Sequence, residues 1–107
     1  MDHTITLLDF YHHFFVEKGI IPKRGGVATE HIAWMVDECI NMLSNPGDTE
    51  YNSMYTKVNR WIGFVQGVLW KEGLFTIDQM REHVTNAQAV EAGPLDEVLR
   101  RAMRRSI

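Results

Sequence analysis

The stretch from Met54 to Trp70, MYTKVNRWIGFVQGVLW, limits what this chain can fold into more than any other. Stepped at 100° per residue, Met54, Val58, Trp61, Ile62, Val65, Val68 and Leu69 gather on one side of a helix, with Phe64 at its margin. That side covers about half the circumference, wider than the roughly 100° stripe of an ordinary surface helix. A helix of this kind needs other helices around it. The opposite side carries Asn59, Arg60, Gly63, Gln66, Gly67 and Lys71, with Trp70 standing among them. Gly63 and Gly67 stack four residues apart, and each costs about 1 kcal/mol relative to Ala in a helix interior. Two arrangements would offset that cost. One is a close helix–helix crossing; the other is a shallow groove for a ligand or second subunit, edged by Arg60 and Lys71.

The rest of the chain reads as helix separated by turn chemistry. Residues 4–18 form a first helix, capped by Thr4 or Thr6 and stopped at Gly19. Leu7, Leu8, Phe10, Tyr11, Phe14, Phe15 and Val16 make it apolar on more than one side, which suits the centre of the domain or another chain. The connection IIPKRGG leads to a second helix from about Thr29, read as its N-cap, to Ser44, striped by Ile32, Met35, Val36, Cys39, Ile40 and Leu43. Asn45-Pro46-Gly47-Asp48 is a turn, and the third helix runs from Thr49 or Glu50 through the central stretch to Gly73. Thr76 with Gln79 is a capping box that starts a short fourth helix at Ile77. Gly93-Pro94 opens a last helix, with Asp96 and Glu97 near its start and Arg100 to Arg105 near its end. The expected fold is all-α, one domain over residues 1–107, a compact bundle of four to five helices.

Composition excludes several classes. The 107 residues are 45% hydrophobic, in the globular range, and no 18 apolar residues run together. No membrane association is expected, and the location expected is the cytoplasm. The lone Cys39 excludes an internal disulfide and a thiolate-based zinc site. Residues 1–99 hold 14 acids against 7 Lys and Arg, so the formal charge of −3 combines an acidic body with an arginine-rich end. An acidic body argues against broad nucleic-acid binding.

The chemistry-bearing residues are sparse. Lys23-Arg24-Gly25-Gly26, just ahead of a helix, has the parts of an anion site: two cations, two glycines to turn amides, and a helix N-terminus. It is not a P-loop, and Glu30 opposes an anion there. Asp9 pairs with His12 or His13 at helical spacing, and His31 joins them only if two helices pack that way; no HExxH or paired Cys/His spacing is present. The serines lack a nucleophile-elbow context, and the neighbouring carboxylates of Asp37-Glu38 and Asp96-Glu97 diverge. No catalytic residue, metal site or cofactor is assigned, and no enzyme is expected. Trp70, beside Arg60 and Lys71, suits stacking on a nucleobase or anchoring an interface.

Arg60-Trp61, Gly63-Phe64, Gln66-Gly67, Leu69-Trp70 and Thr76-Ile77-Asp78 with Met80-Arg81-Glu82-His83 resemble a segment of small uncharacterised phage and prophage proteins. The resemblance covers about a quarter of the chain and implies a context, not a mechanism. A looser similarity, of size and helicity, is to small helical phage proteins that sponge cyclic nucleotides in anti-defence. It transfers no site residue. The function expected is therefore an oligomeric, non-enzymatic accessory protein that sequesters a nucleotide-derived signal from host defence. Lys23, Arg24, Gly25, Gly26, Asn59, Arg60, Gly63, Gln66, Gly67, Trp70 and Lys71 are its candidate ligand residues. Direct inhibition of a host defence protein and a small DNA-binding regulator are the alternatives.

Overall fold

The computed structural model describes residues 3–45 and 51–92, and every regular element among them is an α-helix. They are α1 (His3–Glu17), α2 (Ala28–Ser44), α3 (Tyr51–Lys71) and α4 (Ile77–Ala92). The helix expected from Gly93-Pro94 and the arginines that follow lie outside the described residues.

Helix α1 takes the central place that its broad apolar surface demands. It packs against α2 on one side and α4 on the other, and α2 in turn packs on α3. Thr4, Leu7, Leu8, Tyr11 and Phe15 are its buried residues, a three-to-four spacing that turns one stripe inward. They join Ile32, Val36 and Cys39 of α2 and Val58, Val65 and Leu69 of α3 in a single core cluster. Each such side chain contributes roughly 1.5–3 kcal/mol by leaving water. On α4, Met80 and Ala87 are buried with Val84 packed beside them. That stripe carries α4 through residues 86–91, where sequence periodicity alone gives little helical signal.

Glycine sets two of the helix ends. Gly19 and Gly73 lie at φ of 71° and 73°. At the first, the amide of Ile20 donates to the Phe15 carbonyl at 2.9 Å; at the second, that of Leu74 donates to Leu69 at 2.9 Å. Both ends are Schellman motifs, which only a residue tolerant of the left-handed region closes cheaply. The start of α4 matches its sequence signature. The Thr76 amide donates to Gln79 Oε1 at 2.8 Å, and the Gln79 amide to Thr76 Oγ1 at 3.1 Å.

The start of α2 differs from its reading. The helix begins at Ala28 with Val27 as its cap, not Thr29. Glu30 explains the shift: its carboxylate reaches back to accept the Val27 amide at 3.0 Å, so the first turn closes without a hydroxyl cap. Thr4 and Thr6 likewise lie inside α1, not ahead of it. No described helix is long and apolar enough to cross a membrane.

Candidate functional site

Helix α3 presents two outward flanks of different chemistry. Asn59, Gly63, Gln66, Gly67 and Trp70 fall on one; Lys57, Arg60, Phe64 and Lys71 fall on the other, edged by Trp61, which is partly buried against the core. The candidate residues span both, with Arg60 and Lys71 beside Gly67 where the two flanks meet.

The glycine flank borders open space. A Cβ built on Gly63 or on Gly67 meets nothing within 4 Å, so neither serves a helix crossing within the described structure. Among the described residues no helix crosses this pair closely. Instead, Gln66, Gly67 and Trp70 form one wall of a groove of about 590 Å³. The other wall is Ile77, Met80, Arg81, Val84 and Thr85 of α4. The lining is mostly apolar, with one cation. Trp70 is 55% exposed, and its ring has no aromatic or cationic neighbour among the described residues.

The groove has a local cause. Phe75, in the turn between α3 and α4, lies 4.6 Å by ring centroid from both Phe14 and His83, and 6.4 Å from Phe10 and from Tyr11. This aromatic cluster draws α4 onto α1, and α3 has no side chain at Gly67 to fill the space left behind.

Beneath the groove, one polar bridge ties three helices together. Gln66 Nε2 donates to the Tyr11 hydroxyl at 3.0 Å. That hydroxyl lies 3.2 Å from His83 Nδ1. Burial holds the His83 imidazole far below its ordinary 6.5, at about 4, so the ring is neutral at ordinary pH. In the tautomer that carries its proton on Nε2, Nδ1 accepts from the Tyr11 hydroxyl. Tyr11 is fully buried, and burial pushes its phenol up to about 12 against the lowering effect of Gln66. Sequence reading placed Tyr11 in the apolar surface of α1 and gave His83 no role of its own, although His83 follows buried Met80 by three residues, which places it on the inward side.

The Lys23–Gly26 turn is closed on itself. The Gly25 amide donates to His31 Nδ1 at 3.0 Å, the Gly26 amide to the Lys23 carbonyl at 3.0 Å, and the Lys23 amide to the Glu30 carbonyl at 3.0 Å. With Val27 bound to the Glu30 carboxylate, the Lys23, Gly25, Gly26 and Val27 amides already have partners, and a negative charge sits at the helix start. Arg24 lies with its guanidinium 5.3 Å from the Trp34 ring centroid.

The histidines disperse. His13 Nε2 is 3.5 Å from Asp9, as their spacing allows; His12 Nδ1 turns to Asp37 at 3.1 Å; His31 serves the Gly25 turn. Among the described residues no three His, Cys, Asp or Glu side chains come together as metal ligands. The Cys39 thiol is fully buried and pushed up to about 12, chiefly by that burial.

Comparison with protein-family models, curated proteins and solved structures found no match.

Proposed function

We propose that this chain is a non-enzymatic binding protein that holds a nucleotide-type small molecule in the α3–α4 groove. In the phage context implied by the Arg60–His83 segment, it would withdraw a signalling nucleotide from host defence. The observation that carries the reading is the groove itself. Gln66, Gly67 and Trp70 line a space of about 590 Å³, within the 300–1,000 Å³ of small-molecule sites, around a half-exposed tryptophan ring. Trp70 offers a face for a base, Arg81 a cation for a phosphate, and Gln66 a carbonyl oxygen with no partner among the described residues. Tyr11 holds the Gln66 amide in place, so this wall is ordered before any ligand arrives. Self-association belongs to the same proposal, supported by the exposure of Phe64, Trp70 and Ile77.

Native mass spectrometry of protein taken from cells with an active defence system tests it. A bound mass of a few hundred daltons on the parent, absent from folded Trp70→Ala and Arg81→Ala, is the expected result. No adduct, and no uptake from a panel of linear and cyclic nucleotides, would overturn it.

The mostly apolar lining favours a second reading. Ile77, Met80 and Val84 would also receive an apolar helix of a host effector protein. A host protein retained by the parent and released by Trp70→Ala, with no small-molecule adduct, is the result that selects it.

A further inference from the structure

The opposite flank of α3 concentrates positive charge in an acidic chain. Helix α3 contains Lys57, Arg60 and Lys71 and not one Asp or Glu, although the whole chain carries 14 acids and a formal charge of −3. All three cations are exposed, and none enters the ion pairs formed among the described residues, which are His12–Asp37, His13–Asp9 and Arg81–Asp78. An acidic sequence has thus kept its acids off one helix.

Aromatic rings are set among these cations. The Lys57 ammonium lies 5.2 Å from the Trp61 ring centroid, and Trp61 lies 6.0 Å from Trp34 on α2. Arg24 closes the row, its guanidinium 5.3 Å from the Trp34 ring centroid. Along α3 the strip continues through Phe64, 54% exposed, to Lys71. From Lys57 to Lys71 the helix rises about 21 Å, enough for a strand of roughly four nucleotides. Cations to track a backbone, with flat apolar rings between them, are the parts that single strands need, because every base offers a π-face. A duplex hides those faces and would set more phosphates against the acidic remainder of the body. An acidic protein would satisfy the cations and leave exposed Phe64 without a matching partner.

We propose that the Lys57–Lys71 flank of α3, with Arg24 and Trp34 beside it, binds single-stranded nucleic acid without sequence preference. This surface does not depend on the groove, since Trp70 and Gln66 lie on the other flank. Glu38 of α2, the helix packed against α3, opposes it by its charge.

The test is fluorescence anisotropy of a labelled oligothymidylate of about 15 nucleotides, titrated at several salt concentrations. Binding should weaken with salt at a logarithmic slope of about −2 for the three cations of α3, approaching about −3 where Arg24 also meets a phosphate. Lys57→Ala and Arg60→Ala should each lower that slope by about 0.7. Phe64→Ala should weaken binding at least about fivefold with the slope unchanged. Glu38→Gln should tighten it, and Trp70→Ala should leave it alone. All of these positions except Glu38 are exposed, and circular dichroism confirms that each variant is folded. The proposal is overturned by no binding at low salt, by affinity unchanged in Lys57→Ala and Arg60→Ala, by equal affinity for duplex, or by equal competition from polyglutamate.

Discussion

Tyr11 and His83, 72 residues apart in sequence, share a hydrogen bond of 3.2 Å between the centre of α1 and the middle of α4. Phe10 and Phe75 flank the imidazole with centroids 4.6 Å away, so the ring sits in an apolar setting with one polar partner. The unfolded chain binds a proton at this group near 6.5, whereas the folded chain waits until about 4. Stability is therefore full above pH 6.5 and falls as pH drops from there toward 4, by up to about 3 kcal/mol. Urea denaturation at pH 7 and pH 4.5 should show this loss. His83→Gln, which can still accept from Tyr11, should shrink the difference between the two pH values by about 2 kcal/mol. An unchanged difference would place the acid sensitivity elsewhere.

Removing the hydroxyl at the centre of this bridge tests it from the other side. Tyr11→Phe keeps the ring and its packing but leaves Gln66 Nε2 and His83 Nδ1 without their partner. The expected cost is about 1–3 kcal/mol, the range for orphaned buried polar groups. A urea midpoint equal to that of the parent would mean that water replaces the hydroxyl without loss.

What the sequence made legible was local. The Thr76–Gln79 box, the Gly19 stop and the stripe through Val58, Ile62, Val65 and Leu69 each state their structure within a turn or two. Gln66, Gly67 and Trp70 could likewise be picked out, because glycine inside a helix and tryptophan on its polar side break local rules. Their counterparts on α4 could not be. Arg81 and Thr85 look like ordinary surface residues until Phe75 draws α4 onto α1 and turns them toward Gly67. The Lys23–Gly26 turn shows the reverse. Its composition suits an anion, yet His31 and Glu30, a few residues on, already occupy its amides.

Cys39 should be silent in the native protein. It is fully buried, and its thiol is pushed up to about 12 from 9.0, so thiolate is scarce at neutral pH. Ellman's reagent should label it only as fast as the chain opens, with rates rising in step with urea unfolding. The same shift weakens the fold in alkali, because the unfolded thiol ionises from about pH 9 upward while the folded one does not. Labelling at the rate of an exposed thiol in native buffer would contradict the packing of α2 against the core.

The glycines of α3 and of its end should respond with opposite signs. At Gly63 and Gly67 an added methyl meets nothing within 4 Å, and the backbone is helical. Gly63→Ala and Gly67→Ala should each stabilise the isolated protein by about 1 kcal/mol, the helix-propensity difference. At Gly73, held at φ +73°, the same change should destabilise by about 1–2 kcal/mol, although space is equally open there. Urea midpoints of the three variants separate these effects. If Gly67→Ala lowers stability instead, something presses on that face in solution, and a second copy of the chain is the first candidate, to be checked by the concentration dependence of the midpoint. If it stabilises as expected, Gly67→Leu becomes the sharper probe. It keeps the helix and blocks the groove, so folding is retained and ligand uptake is lost only if the groove is where the ligand sits.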